Sequence, residues 1–228
     1  MSERVVAVIL AAGCGSRMRL GVTKQRIVMG DESVLRRTVR IFNDSSAISS
    51  IVVVVRKDEM NFAEEELLCF DKVAKITAGG ETRFESAKIG FALAEDFADY
   101  VAIHDAARCF VTDEIIKAVV SDAIKFGAAT AASAITDTVK TVDSDGMICG
   151  TVDRNSLMLV QTPQVFRSEL YKKALLSADV NDSAITDDNM LVERIGGKIH
   201  CTDTGKYNIK LTHKEDLDYA DFLLNGEK

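Results

Sequence analysis

Three things are scarce in this sequence, and each scarcity excludes a class of protein. The five cysteines, Cys14, Cys69, Cys109, Cys149 and Cys201, are odd in number and scattered. No C-x-x-C pair stands among them, so neither a zinc knuckle nor a dithiol redox centre is indicated. Their scatter favours a reducing, cytoplasmic setting over a disulfide scaffold. There is one proline, Pro163, and no internal repeat or low-complexity run. No apolar stretch reaches the length of a membrane-spanning helix. Basic residues are outnumbered, giving a formal net charge of −7 over 228 residues. That balance argues against a general nucleic-acid binder. An anionic ligand would have to be attracted locally, by a few placed cations or a metal.

What is present is organised around one loop. Val5 to Leu10 is an apolar run that reads as a buried strand. Ala11-Ala12-Gly13-Cys14-Gly15-Ser16-Arg17-Met18 follows, and then Lys24-Gln25. Glycine allows a tight turn and close approach to a ligand because no Cβ intervenes. Successive backbone N–H groups in such a loop form an anion-receptive hollow, and Arg17 and Lys24 add two cations to it. Three rival readings fail on particulars. A dinucleotide fingerprint needs a third glycine, where Met18 stands. A P-loop needs Gly-Lys-Ser/Thr after four spacers from Gly13, which is missing. A lipoprotein signal ending at Cys14 would have a core at the short limit, preceded by one basic residue, Arg4.

Strand and helix signals then alternate, which predicts a mostly parallel α/β sheet. Ser33 caps a helix carrying Val34, Leu35, Val39 and Phe42. Ile51 to Val55 is a β-branched run, hence a strand buried on both faces. Asp58 is expected to cap a helix ending near Phe70. Val73 to Thr77 is a short strand, Gly79-Gly80 a turn, and a helix starts near Arg83. Tyr100 to His104 is a strand; Thr112 starts a helix that Gly127 stops. After Ala128 the pattern changes. Thr138 to Val142 and Met147 to Val152 flank Asp143-Ser144-Asp145-Gly146, a hairpin signal, with no apolar face of its own. Leu157 to Gln161 is a strand, and helices are expected at Ser168–Ala178 and Thr186–Ile195. Lys198 to Thr202 is a strand, and Thr212-His213-Lys214-Glu215 reads as a capping box opening the last helix.

Ligands of open parallel sheets bind at the carboxyl ends of the strands. Residues 11–25, 79–86, 104–108 and 208–210 fall at such places. They gather Arg17, Lys24, Arg83, Arg108 and Lys210 around one carboxylate, Asp105. A lone Asp after a strand is commonly a turn residue. Among these cations it suits Mg²⁺, which takes one or two carboxylates plus substrate phosphates. Arg83 can equally be the start of a helix, Arg108 a surface cation and His104 a structural histidine; His104 is given no catalytic role.

In order along the chain stand Ala11-Ala12-Gly13-x-Gly15-x-Arg17-Met18, Lys24-Gln25, Gly80-x-x-Arg83-x-x-Ser86 and His104-Asp105-Ala106-Ala107-Arg108. Asp137-Thr138-Val139-Lys140, Asp153-Arg154, Gln161-Thr162-Pro163-Gln164, Thr186-Asp187 and Asn208-Ile209-Lys210 follow. This series resembles the 2-C-methyl-D-erythritol 4-phosphate cytidylyltransferases of non-mevalonate isoprenoid synthesis. The resemblance implies transfer of CMP from CTP to that polyol phosphate with release of pyrophosphate. It also implies one Rossmann-like nucleotidyltransferase domain over 1–228 and a β-hairpin arm at about 137–156 that reaches across a homodimer. Ala11, Ala12, Gly13, Gly80, Glu81 and Ser86 would hold the nucleotide, and Asp105 the Mg²⁺. Arg17, Lys24 and Lys210 would be catalytic at the α-phosphate. Arg108, Thr162 and Thr186 would contact the polyol phosphate, with Thr138 and Arg154 supplied by the partner's arm. No nucleic acid or membrane partner is implied. The alternative is a cytidylyltransferase for another polyol phosphate such as ribitol 5-phosphate. A non-catalytic nucleotide-binding regulator is disfavoured by the retained cations, and a nicotinamide dehydrogenase by the missing glycine.

The sequence departs from the family pattern at Thr23 and Cys109, where proline is usual, at Arg26, where an aromatic is common, and at Asp31-Glu32-Ser33, where Gly-Lys-Pro is usual. A lost proline frees the unfolded chain by roughly 0.4–1 kcal/mol. The expectation is therefore a looser Lys24 loop and an added charge at Arg26 that alters binding.

Overall fold

Alternate side chains of β1 (Val5–Ala11) face opposite layers of helices. Val5, Ala7, Ile9 and Ala11 belong to one buried cluster, and Val6, Val8 and Leu10 to another. That is the period of two that a strand imposes, and it makes β1 an interior strand of a three-layer α/β molecule. The structure is a computed structural model and describes residues 3–13, 23–178 and 185–226.

After β1 come a short antiparallel pair, β2 (Val28–Met29) and β3 (Glu32–Ser33), then α1 (Val34–Asp44). β4 (Ser50–Val55), α2 (Met60–Leu67), β5 (Val73–Ala78), α3 (Arg83–Ala92), β6 (Tyr100–Asp105) and α4 (Asp113–Phe126) continue the alternation. Next are β7 (Ala128–Ala134), β8 (Val139–Val142), β9 (Ile148–Val152), β10 (Met158–Arg167), α5 (Ser168–Leu176), α6 (Asn189–Arg194), β11 (His200–Asp203) and α7 (Glu215–Gly226). The main sheet runs β11-β7-β10-β6-β1-β4-β5. Among its described strands only β10 is antiparallel to its neighbours. Leu35, Val39 and Phe42 of α1 and Ala63 and Leu67 of α2 cover one face. Phe84, Ala87 and Phe91 of α3 and Tyr171 of α5 cover the other. Replacing a fully buried side chain such as Phe42 by Ala costs about 3–5 kcal/mol.

Three expected caps hold, at two helices. Ser33 Oγ accepts from Arg36 N at 3.1 Å, and Thr112 Oγ1 accepts from Ile115 N at 3.4 Å. Gly127 ends α4 with φ 92°, a left-handed conformation that a Cβ disfavours. Two expected caps are corrected. Asp58 does not cap α2, because its carboxylate is taken by Arg56 at 2.8 Å; a 3-10 turn at Lys57–Glu59 leads into the helix instead. Glu215 does not close a box with Thr212. The α7 helix starts later, and Asp216 Oδ2 accepts from Thr212 N and His213 N at 2.6 and 2.8 Å.

Two strands exceed the expectation. β7 is mostly alanine, a residue with weak strand preference, yet it is buried between neighbours on both sides. β10 runs on through Pro163, which the ladder tolerates at a register shift between Val160 and Gln164. Because β10 is antiparallel to β6, the shift lies beside the carboxyl end of β6 and sets Gln161 and Thr162 there. Among the described residues β8 and β9 pair only with each other, and Val142, Met147 and Ile148 are exposed. No described helix is long and apolar enough to cross a membrane.

Candidate active site

From β1 the chain crosses to β4 on one side, and β6 lies on the other. The carboxyl ends therefore diverge at a switch point, where open sheets form crevices. A cleft of about 700 Å³ opens there. Its walls are Leu10, Ala12 and Gly13 after β1, Lys24 and Gln25, and Arg56, Lys57 and Asp58 after β4. Gly79 to Arg83 and Ser86 at the start of α3, Asp105 and Ala107 after β6, and Lys210 complete it.

The glycine turn has a steric reason. A Cβ on Gly79 would sit 2.6 Å from Ser86 Oγ and 2.7 Å from Ala12 Cβ, and one on Gly80 would collide with Glu85. Only a backbone without Cβ lets the turn close against the β1 loop. Glu85 in turn accepts from Glu81 N and Thr82 N at 2.7 and 3.2 Å, while Thr82 Oγ1 accepts from Glu85 N at 3.0 Å. This reciprocal cap fixes the opening of α3 beneath the cleft.

Lys24 and Gln25 lie in a 3-10 turn. Gln25 Nε2 donates to Ala11 O at 2.6 Å, and Lys24 Nζ donates to Leu211 O at 2.8 Å. The second bond sets Lys24 beside the segment that carries Lys210. Lys210 Nζ lies 2.6 Å from Asp105 Oδ2, and Arg83 Nε lies 3.3 Å from Oδ1. Burial alone would raise the Asp105 pKa; the adjoining Arg83 and Lys210 cations reverse this and hold it far below the ordinary carboxylate value. Burial works against the Arg83 charge as well, and Asp188 and Asp105 overcome it. Arg83 Nη1 lies 2.6 Å from Asp188 Oδ2, and Tyr171 OH donates to Asp188 Oδ1 at 2.5 Å. Neither Asp188 nor Tyr171 is singled out by the sequence, because their partners are distant in it.

Below Asp105, His104 is fully buried. Its Nε2 faces the Arg108 carbonyl at 3.3 Å, which can only accept, so Nε2 carries the proton. Nδ1 then accepts from Thr162 Oγ1 at 3.0 Å, and that oxygen accepts from Asp105 N at 3.1 Å. Burial pushes the imidazole pKa down to about 3, so it is neutral. The structural reading of His104 holds.

Arg108 Nη1 donates to Asn208 O at 2.8 Å, while its buried Nε has no partner. Burial lowers its pKa, and among the described residues no carboxylate forms a salt bridge with it. A partly buried guanidinium in this state is receptive to an anion. Other expected site residues lie apart. Ala11 is buried in the sheet and offers its carbonyl to Gln25. Thr162 sits under Asp105 rather than in the cleft wall. Thr138 and Arg154 are exposed beside the hairpin, with Arg154 Nη1 on Thr136 O. Thr186 is exposed two residues before Asp188, its hydroxyl 3.2 Å from Met190 Sδ. Arg17 lies outside the described residues.

The departures take definite places. Cys109 is buried with Met29, Val34, Phe110 and Leu211, and burial pushes its thiol up to about 12. Arg26 is absent from the cleft wall, contrary to the expectation of an added charge there, and it pairs with Glu59 at 3.0 Å.

A mostly parallel α/β sheet with this cation-rich, glycine-walled cleft at its switch point defines a nucleotidyltransferase. Residues 5–226 match the family model described as 2-C-methyl-D-erythritol 4-phosphate cytidylyltransferase, and the chain belongs to that family. It is 37% identical over 221 residues to the protein of that name from Clostridium acetobutylicum, covering 96% of each. It is 39% identical over 230 residues to that of Pelotomaculum thermopropionicum, covering 99% of this chain and 96% of the relative. The crystal structure of 4-diphosphocytidyl-2C-methyl-D-erythritol synthase from Anaerococcus prevotii matches with a TM-score of 0.87 at 28% identity, over 98% of this chain and 99% of that one.

Proposed function

We propose that this cleft transfers CMP from CTP to 2-C-methyl-D-erythritol 4-phosphate, releasing pyrophosphate and giving the CDP-alcohol. The observation that carries the reading is the convergence of Lys24, Arg83 and Lys210 on a glycine-walled cleft with Asp105 at its floor. An oxygen of the polyol 4-phosphate attacks the α-phosphorus of CTP in line. The new P–O bond forms as the bond to the bridging oxygen breaks, and pyrophosphate leaves with that electron pair. A phosphate monoester is largely ionised near neutral pH, its second pKa being about 6. No general base is needed, and catalysis consists of alignment and stabilisation of charge.

Lys24, Lys210 and Arg17 take the charge that develops at the α-phosphate. Ala11, Ala12, Gly13, Gly80, Glu81 and Ser86 hold the cytidine. Arg108 takes the polyol phosphate, supported by its unpaired Nε; Thr162 and Thr186 are assigned to the same substrate by the family resemblance rather than by their placement. Asp105 is the protein ligand for Mg²⁺. The donor set fits: Asp105 places one carboxylate at the end of β6 in the cleft wall. One carboxylate is what Mg²⁺ requires when substrate phosphates complete its shell. When bound, the ion neutralises phosphate oxygens and favours departure of pyrophosphate. Lys210 covers Asp105 Oδ2, and its side chain, 39% exposed, has room to turn toward phosphate.

The active assembly is a homodimer in which each arm lends Thr138 and Arg154 to the partner's cleft. The unpartnered hairpin with its exposed Val142, Met147 and Ile148 supports this. The enzyme acts in the cytoplasm. The test is CTP-dependent pyrophosphate release with each polyol phosphate separately. Release with the methylerythritol phosphate and little with ribitol 5-phosphate is expected; the reverse preference refutes the assignment.

A further inference from the structure

The turn that carries Lys24 is clamped from behind by a side chain outside the cleft wall. Glu59 ends the 3-10 turn before α2 and is 6% exposed. Its Oε2 accepts from Thr23 Oγ1 at 3.1 Å, and its Oε1 and Oε2 accept from Arg26 Nε at 3.0 and 3.1 Å. Thr23 and Arg26 are the residues on either side of Lys24-Gln25. The Arg26 guanidinium also lies 4.3 Å from the centre of the Phe62 ring on α2. One carboxylate thus grips both ends of the turn.

A buried carboxylate is costly to desolvate unless it is paired, and these partners of Glu59 belong to the Lys24 turn. The turn needs such support. Its own bonds are Arg26 N to Thr23 O at 3.1 Å and Ile27 N to Lys24 O at 3.2 Å, the weaker geometry of a 3-10 turn. Gln25 ties it to β1 on the cleft side. Glu59 supplies the opposing hold on the far side. The placement of the Lys24 ammonium therefore depends on both.

We infer that Glu59 is a positioning residue for Lys24, holding the turn so that the ammonium meets the α-phosphate; this rests on the role of Lys24 proposed above. Misplacing a reacting group by about 1 Å can cost up to roughly 10²-fold. The Glu59 side chain is not part of the cleft wall, so its loss should act on kcat.

Thr23 has φ −71° and ψ 152°, within the range that proline imposes. Thr23→Pro should therefore stiffen one end of the turn without Glu59. The experiment measures kcat and the KM for CTP in the full-length enzyme, with melting curves confirming that each variant is folded at the assay temperature. Glu59→Ala should lower kcat roughly ten-fold with KM changed by less than about two-fold. Thr23→Pro in that background should restore most of the loss. In Lys24→Ala, adding Glu59→Ala should cost nothing more, because one effect acts through the other. Should Glu59→Ala fail to fold, Glu59→Gln, which keeps one acceptor, should show a smaller loss with the same split. Unchanged kcat in a folded Glu59 variant overturns the inference. So does an equal loss in the Lys24→Ala background, or failure of the proline to rescue. A wild-type kcat in Lys24→Ala alone instead refutes the role of Lys24, and this inference with it.

Discussion

Lys210 Nζ rests 2.6 Å from Asp105 Oδ2, across 105 positions of sequence. Asp105 ends the central strand β6 and Lys210 lies in the segment before α7, so the contact joins the sheet to the closing part of the chain. With Arg83 on the other oxygen, it fixes the sole carboxylate at the end of β6 among cations. This arrangement suits the proposed phosphate chemistry better than proton transfer.

Lys24→Ala and Lys210→Ala should each lower kcat by roughly 10²-fold or more, the scale of losing one transition-state donor. Arg17→Ala should do the same. Steady-state kinetics decides it. A raised KM for CTP at unchanged kcat would make these residues binding groups only.

Asp105→Asn should raise the Mg²⁺ concentration needed for turnover, and it should also alter acid stability. The folded pKa of Asp105 lies below its unfolded value of about 3.9. Its contribution is thus complete above that value and is lost as pH falls toward the folded pKa. Urea midpoints of the variant should be lower than wild type at pH 7, with the gap closing below about pH 4. A gap independent of pH would mean that the charge of Asp105 is not what stabilises the cluster.

His104 makes a separate prediction. Its folded pKa of about 3 lies below the unfolded value of about 6.5. The neutral ring stabilises fully above about pH 6.5, and that stability declines as pH falls toward 3. Between about pH 6.5 and 4.5, above the Asp105 window, the melting temperature of His104→Gln should fall less steeply than that of wild type. Parallel slopes would mean that His104 is charged when folded.

These groups show what local sequence can and cannot convey. The run Val5 to Leu10, the Ser33 and Thr112 caps, the Gly127 stop and the Asp143–Gly146 hairpin turn act within a few residues, so they were readable. β7 was not, because Ala128–Ala134 lacks β-branched side chains and is a strand only by virtue of its neighbours. The strand read at Leu157 to Gln161 stops short of Pro163, and the register shift that lets β10 continue through it is a tertiary feature. At the site, Lys24, Asp105 and Lys210 were legible from residue type at strand ends. The Arg83–Asp188–Tyr171 chain and the Glu59 clamp were not, since each joins distant segments. Thr23 suggested a loose loop and Arg26 an added charge; Glu59 holds both.

A shared site predicts complementation. Lys24→Ala and Arg154→Ala homodimers should each be nearly inactive. Co-refolding equal amounts makes about half the dimers mixed, and one site of each mixed dimer combines an intact body with an intact arm. About a quarter of all sites should recover. No recovery despite demonstrated heterodimers would assign both residues to one chain and leave the hairpin without this role.

In the proposed reaction the α-phosphorus of CTP passes to the polyol phosphate. The most direct test follows radiolabel from α-labelled and γ-labelled CTP in separate reactions with 2-C-methyl-D-erythritol 4-phosphate. The α-label should appear in the CDP-alcohol and the γ-label in pyrophosphate, both at rates lowered together by Lys24→Ala. An α-label recovered only in free CMP, or a γ-label in the polyol product, would contradict it.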